Sequence, residues 1–140
     1  MKRQVFIICS LITTLFFTCK KDGESGRPST YVDFSINTSN PAYSNLNAIG
    51  GWIYDTHGVR GIIIYRKSIT DFMAYERNCT YQPSNACAKV QVQSSGITAI
   101  DSCCGSKFLM VDGSVYGPPA TIQLTRYQTE FDGTTLHIFN

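Results

Sequence analysis

Six cysteines and two histidines are the side chains of this 140-residue chain that could bind a metal or exchange electrons. They are Cys9, Cys19, Cys79, Cys87, Cys103, Cys104, His57 and His137. A small protein in the reduced cytosol seldom keeps this many thiols without a metal or a redox reaction, whereas exported proteins join them in disulfides. The compartment of the protein therefore decides how its cysteines are interpreted.

The N-terminal residues predict export. Lys2 and Arg3 precede an apolar run at 5–17, which has the length of a signal-peptide core but is too short to span a membrane comfortably. The sequence FFTC that ends at Cys19 resembles the relaxed lipobox of bacterial lipoproteins, especially those of the Bacteroidetes, in which the cysteine is acylated. This resemblance implies an exported protein that is anchored by its lipid to a bacterial (outer) membrane and faces the periplasm or the cell surface. An ordinary signal peptide with an unmodified cysteine is the alternative.

Composition divides the chain into three parts. We predict a signal peptide at 1–18, a lipidated cysteine with a flexible tether at 19–29, and a folded domain at 30–140. Twelve basic and ten acidic side chains give a formal charge of +2, and removal of Lys2 and Arg3 leaves ten of each. Because no basic stripe remains, nucleic acid is excluded as a partner. The expected partners are the membrane, through the N-terminal lipid, and an unidentified protein.

The sequence from residue 30 onward predicts an all-β domain. Short runs with apolar residues at every second position, the period of a half-buried strand, alternate with turn residues. The predicted strands are 31–36, 50–54, 61–66, 71–77, 89–93, 106–111, 121–123, 127–131 and 135–139. Asp112-Gly113 and Asp132-Gly133 are typical of hairpin turns, and residues 37–47 predict a loop. We expect a small antiparallel sandwich or barrel of about ten short strands.

Short motifs along the chain follow the order and spacing of a Rieske iron–sulfur domain. Residues 104–108 (CGSKF) are similar to the family's Cys-x-x-His-Gly-Ser-x-Phe loop, residues 117–120 (GPPA) to its Gly-Pro-Ala loop, and residues 132–138 to its closing hairpin strand. Residues 72–79 (FMAYERNC) resemble the strand that leads to the first ligand loop, Cys-x-His. The resemblance covers roughly residues 48–140, and it implies a Rieske-like β-fold with a [2Fe–2S] site between two loops.

The ligand positions depart from the family pattern of two cysteines and two histidines. Matched residue by residue, Cys79 stands at the first cysteine and Tyr81 at the first histidine. Asp101 stands at the second cysteine and Cys104 at the second histidine, and both histidines of the chain lie outside the two loops. Carboxylate and phenol oxygens are poor ligands for a soft cluster. We therefore expect that the cluster is lost and that no cofactor is bound; an atypical [2Fe–2S] cluster is the alternative.

The same resemblance implies disulfides between the loops. Some Rieske proteins carry an extra cysteine in each ligand loop, and in this sequence Cys87 and Cys103 fall near those positions. Cys79 and Cys104 are left facing the former cluster site, where an oxidising compartment would join them in a second disulfide. A close alternative pairs Cys79 with Cys103 and Cys87 with Cys104, whereas a bond between the neighbours Cys103 and Cys104 would be strained.

We predict a membrane-anchored lipoprotein whose Rieske-like domain has lost its cluster and serves as a disulfide-stabilised binding or structural module. One alternative is an electron-transfer protein with an atypical [2Fe–2S] cluster, and another is a thiol–disulfide redox protein. Zinc held by four cysteines is disfavoured, because adjacent cysteines rarely both face one tetrahedral ion. No hydrolytic or transferase site is expected, since a nucleophile needs a base within reach and the two histidines lie in a predicted turn and a terminal strand.

Overall fold

Ten β-strands form most of the regular structure in residues 30–140, which the computed structural model of the protein describes. The strands are β1 (Asp33–Asn37), β2 (Trp52–Asp55), β3 (Ile62–Arg66), β4 (Phe72–Glu76), β5 (Val90–Val92), β6 (Thr98–Asp101), β7 (Lys107–Leu109), β8 (Val115–Gly117), β9 (Arg126–Phe131) and β10 (Thr135–Phe139). A 3-10 helix, Pro41–Asn47, lies between β1 and β2. No helix among these residues is long and apolar enough to cross a membrane. The predicted signal peptide and the predicted lipidation site at Cys19 lie outside them.

The strands pair into two antiparallel sheets, which confirms the predicted all-β fold of about ten short strands. The larger sheet has the order β1-β10-β9-β4-β3-β2 and the smaller the order β5-β6-β7-β8. Both predicted turns are confirmed, because Asp112-Gly113 connects β7 to β8 and Asp132-Gly133 connects β9 to β10. Gly113 has a φ of 78°, and a Cβ at this position would lie 2.7 Å from the Tyr75 ring. The turn therefore requires glycine.

Alternating side chains of β3 and β4 contribute to two hydrophobic cores. Ile63, Met73 and Tyr75 pack with Phe108 and Met110 in the core that the two sheets share. The remaining side chains of β3 and β4 point to the opposite face and pack with side chains of β9 and β10. This second core includes Ile62, Ile64, Phe72, Ala74, Tyr127, Leu136 and Ile138. Burial of successive residues explains the continuous apolar runs of β3 and β4. The Tyr75 hydroxyl donates to the Met110 carbonyl at 3.1 Å and joins the two sheets.

Two predictions from the sequence pattern are wrong. Residues 121–123 are not a strand, since the Ile122 carbonyl accepts a hydrogen bond from the Thr80 hydroxyl at 2.5 Å and holds this segment against the loop after β4. The loop predicted at 37–47 contains the 3-10 helix, which begins where the Asn40 side chain accepts a backbone N–H of the first turn. Strands β6 and β8 lie outside the predicted set, because they are short and partly polar.

Candidate functional site

Two neighbouring loops carry the four cysteines of the domain. The first loop, residues 77–89, connects β4 to β5, and the second loop, residues 102–106, connects β6 to β7. The first loop is closed by the N–H of Val90, which donates to the Arg77 carbonyl at 2.8 Å. Val90 also pairs with Asp101, the last residue of β6. The end of the first loop and the start of the second loop are therefore adjacent.

A disulfide between Cys87 and Cys103 links the two loops. Their Cα atoms lie 5.7 Å apart, within the usual range for a disulfide. The predicted pair is confirmed, and the alternative that joins Cys79 to Cys103 and Cys87 to Cys104 is wrong. The two cysteines are 16 residues apart in sequence. Closing a loop of this length stabilises a folded domain by about 3 kcal/mol through restriction of the unfolded chain.

The other two cysteines, Cys79 and Cys104, are free thiols. Cys79 lies near the start of the first loop and is fully buried, whereas Cys104 is half-buried in the second loop. Their Sγ atoms lie 3.9 Å apart. The structure thus brings these sulfurs into contact without the bond that the sequence predicts between them, and this second disulfide stays a prediction.

Asp101 is the third member of this group. Its side chain is fully buried, its Oδ1 accepts the N–H of Cys103 at 2.8 Å, and its Oδ2 lies 3.4 Å from the Cys104 Sγ. One ligand atom from each of Cys79, Asp101 and Cys104 lies within 4.8 Å of the other two. Three of the four positions that the sequence matches to cluster ligands therefore converge on one point.

Ser106 positions the Cys104 side chain. The Cys104 Sγ lies 3.0 Å from the Ser106 Oγ, and the Ser106 N–H donates to this sulfur at 3.5 Å. The Ser106 Oγ also accepts the N–H of Ala120 at 3.0 Å, which connects the second loop to the segment after β8. Sequence reasoning assigned Ser106 no role of its own, and the only available signal was its place in the Cys-Gly-Ser motif.

The fourth matched position, Tyr81, is half-buried in the first loop and packs against the core that the two sheets share. Burial raises the pKa of the Cys79 thiol, and a hydrogen bond with Asp101 raises this pKa further. A backbone hydrogen bond at Tyr81 acts in the opposite direction and is weaker than burial. Cys79 is therefore a protonated thiol at neutral pH when no cation is bound beside it.

The two histidines have partners elsewhere in the domain. The Nδ1 of His57 lies 2.6 Å from the Asp55 carboxylate, and the ring of His57 stacks on Phe34. The Nε2 of His137, on β10, lies 2.8 Å from the Asp33 carboxylate. Neither residue belongs to the two loops, so the site contains no imidazole.

Two sulfurs and a carboxylate can either hold a cation together or oxidise to a disulfide beside an acid. Similarity to known proteins does not choose between these chemistries, because neither a protein-family model nor a curated protein matches the chain. The resemblance to a Rieske domain stays a prediction. The choice between the two chemistries therefore depends on the types of the donor atoms and on the distances between them.

Proposed function

We propose that the protein is an exported, lipid-anchored protein whose Rieske-like domain has lost its [2Fe–2S] cluster and serves as a disulfide-stabilised binding or structural module. The observation that supports this best is the donor set of the site. Cys79, Asp101 and Cys104 offer two sulfurs and one carboxylate oxygen, whereas a Rieske cluster takes two thiolates on one iron and two imidazoles on the other. The residues present do not fit the cluster.

The spacing of the donor atoms supports the same proposal. A two-iron cluster separates the ligands of one iron from those of the other by the width of the cluster, whereas these three ligand atoms all lie within 4.8 Å of one another. The Cys87–Cys103 disulfide joins the two loops covalently, so that their approach does not depend on a cluster. Such a domain keeps the loops as a rigid surface for a partner.

Iron and acid-labile sulfide analysis of the full chain, expressed with export in a bacterium, tests the loss of the cluster. We expect neither element in a stoichiometric amount and no visible absorption. Iron and sulfide in equal amounts, with the visible bands of a [2Fe–2S] cluster, would instead establish the alternative of electron transfer.

Membrane fractionation with mass spectrometry of the N-terminal peptide tests the anchor. We expect the mature chain in the membrane fraction, with an acylated cysteine at its N-terminus. Cys19→Ser should release it, whereas Cys9→Ser, which alters a cysteine inside the predicted signal peptide, should leave the anchor intact. A soluble wild-type chain that retains an unmodified Cys19 contradicts the anchor.

Thiol–disulfide exchange is a second candidate, and the 3.9 Å separation of the Cys79 and Cys104 sulfurs favours it. The half-buried Cys104 thiolate would attack a disulfide of a partner protein, and Cys79 would then displace the partner thiol. Two electrons and two protons pass from the pair to the partner. Equilibration of the full chain with a glutathione buffer, followed by alkylation of the free thiols, tests this candidate. A pair that reduces and oxidises reversibly supports it, and a pair that stays in one state argues against it.

A further inference from the structure

We infer that Cys79, Cys104 and Asp101 bind a single zinc-type divalent cation, with a fourth coordination position open to solvent. This inference goes beyond the loss of the cluster, since a site that cannot hold two irons can still hold one ion. It is also independent of the lipid anchor. The donor atoms come from the first loop, the end of β6 and the second loop, and the disulfide links these two loops.

The separations of the donor atoms fit one tetrahedral ion. Two thiolates bound to zinc at about 2.3 Å stand about 3.8 Å apart, and a thiolate and a carboxylate oxygen stand about 3.6 Å apart. The Cys79 and Cys104 sulfurs are 3.9 Å apart, and the Asp101 Oδ2 is 3.4 Å from the Cys104 sulfur. A disulfide, by contrast, requires the two sulfurs to approach to about 2.05 Å. The group therefore accepts a cation with smaller movements than a disulfide needs.

The donor types select the class of cation. Thiolates favour zinc and other thiophilic ions over magnesium and calcium, which take oxygen ligands. A carboxylate beside two thiolates suits zinc, whose bonds to oxygen and sulfur are both common in proteins. Three protein donors are enough for such a zinc site, because water can be the fourth ligand. Cys104 is only half-buried, so water can reach the ion from its side.

The charge of the site favours a cation as well. Asp101 is fully buried, yet the ion pairs within residues 30–140 involve only the two histidines and leave this carboxylate out. Its Oδ2 faces a thiol, which is a weak hydrogen-bond donor. A buried carboxylate oxygen whose partners are only weak donors has unused capacity to accept a bond. A bound divalent ion would supply that partner.

Neighbouring groups hold the donors in place. The Cys103 N–H binds the Asp101 Oδ1 and leaves Oδ2 directed at the thiols. The Ser106 N–H donates to the Cys104 sulfur, and a thiolate gains more from such a bond than a thiol does. Hydrogen bonds of this kind orient the ligands of protein-bound metals and increase the affinity for the ion.

The test titrates the full chain, purified in detergent without oxygen, first with Co²⁺ and then with Zn²⁺. Cobalt held by thiolates in a tetrahedral site gives sulfur-to-cobalt charge-transfer bands in the near ultraviolet and d–d bands in the red. We expect these bands to saturate at about one cobalt per chain and to vanish when one equivalent of zinc is added. Zinc should also slow alkylation of Cys104 more than 10-fold.

Variants assign the ligands. Cys79→Ser and Cys104→Ser should each lose at least half of the charge-transfer intensity and weaken zinc binding about 100-fold, and Asp101→Asn should weaken it about 10-fold with the bands retained. Asp112→Asn, at an exposed turn outside the two loops, serves as the control that should keep the site. Circular dichroism shows whether each variant is folded.

The inference is overturned if the reduced wild-type chain binds neither ion, or if the cobalt bands are the same in Cys79→Ser. It is also overturned if freshly isolated protein already contains a Cys79–Cys104 disulfide. A chain with no cluster and no zinc affinity contradicts this site alone. A chain with iron and sulfide contradicts both this site and the proposed function.

Discussion

Two buried carboxylates, Glu76 and Asp101, each end a β-strand, and they differ in the hydrogen bonds that they accept. Glu76 ends β4 and is 2% exposed, and Asp101 ends β6 and is 0% exposed. The Glu76 Oε1 accepts the N–H groups of Arg60 and Asn78, both at 2.9 Å. Its Oε2 accepts the N–H of Val59 at 2.7 Å. The hydroxyl of Tyr127 adds a fourth bond to Oε2 at 2.8 Å.

Asp101 has far less support from its neighbours. It accepts one backbone N–H, from Cys103, and its other partners are the thiols of Cys104 and Cys79, which are weak donors. Glu76 thus uses its full bonding capacity to hold the connection between β2 and β3, whereas Asp101 keeps one oxygen for a ligand. The difference shows that burial alone does not identify a functional carboxylate, because the partners of each oxygen decide what the group can do.

The largest effect is expected for Glu76→Ala. The change leaves three backbone N–H groups and a hydroxyl without their acceptor, and each unsatisfied buried group is destabilising by about 1 to 3 kcal/mol. The free energy of unfolding, measured with urea, should fall by about 4 kcal/mol. Glu130→Gln, on an exposed side chain, is the control and should change it by less than about 0.5 kcal/mol. A loss below about 1 kcal/mol for Glu76→Ala would show that water replaces the carboxylate.

Removal of the disulfide should have the next largest effect. Replacing Cys87 and Cys103 together with Ser frees the unfolded chain from a loop of 16 residues, so the free energy of unfolding should fall by about 3 kcal/mol. The loss should appear in urea denaturation of the oxidised protein and be absent when both proteins are denatured in a strong reductant. Equal stability of the variant and the oxidised wild type would refute a stabilising role for this bond.

Tyr127→Phe tests the Glu76 cluster with a smaller change. Loss of the hydroxyl should lower the free energy of unfolding by about 1 to 2 kcal/mol, because Glu76 loses one donor. Tyr116→Phe, at an exposed position, is the matched control and should have no effect.

The same hydroxyl predicts how stability depends on alkaline pH. Burial, followed by the hydrogen bond and the charge of Glu76, raises the pKa of Tyr127 above its ordinary value of 10.0. The folded state then holds a proton that the unfolded state releases, so the contribution of Tyr127 is complete below pH 10 and is lost as the pH rises beyond it. Unfolding measured from pH 8 to 11 should show a shallower decline for Tyr127→Phe than for the wild type. If the free energy of unfolding declines equally with pH in both proteins, ionisation of Tyr127 does not contribute to the loss of stability.

Asp101→Asn should have the smallest effect on stability. An amide oxygen can still accept the Cys103 N–H, so the metal-free protein should lose about 1 kcal/mol or less. The measurement is urea denaturation in the presence of a chelator. A loss close to that of Glu76→Ala would mean that Asp101 is a structural carboxylate too, and the contrast between the two residues would disappear.

Local patterns of the sequence predicted most of the larger sheet. The β-branched run of β3 and the Asp132-Gly133 turn between β9 and β10 carry their own signals, and so does the alternation in β10. The prediction of a strand at 121–123 is wrong because the Ile122 carbonyl accepts a hydrogen bond from the Thr80 side chain, which is distant in sequence. The strand propensity of a short segment carries no information about such long-range contacts.

The two carboxylate environments differ in how far they could be predicted. Asp101 and Cys104 are three residues apart, and the resemblance to a ligand motif placed Cys79 beside them. The Glu76 cluster joins residues 59 and 60 to residue 127, so no short pattern indicates it. The resemblance also predicts a bond between Cys79 and Cys104, whereas their sulfurs lie 3.9 Å apart. No short pattern sets this separation, because it depends on the packing of both loops.

X-ray absorption of the full chain, isolated without oxygen from cells supplied with iron and zinc, tests the central claim most directly. The claim is that the site of Cys79, Asp101 and Cys104 holds one ion in place of a cluster. The zinc edge should show two sulfur ligands at about 2.3 Å and two lighter ligands at about 2.0 to 2.1 Å, with no stoichiometric iron signal. An iron edge with sulfide ligands and a short iron–iron distance would contradict the claim, and so would zinc surrounded only by oxygen and nitrogen.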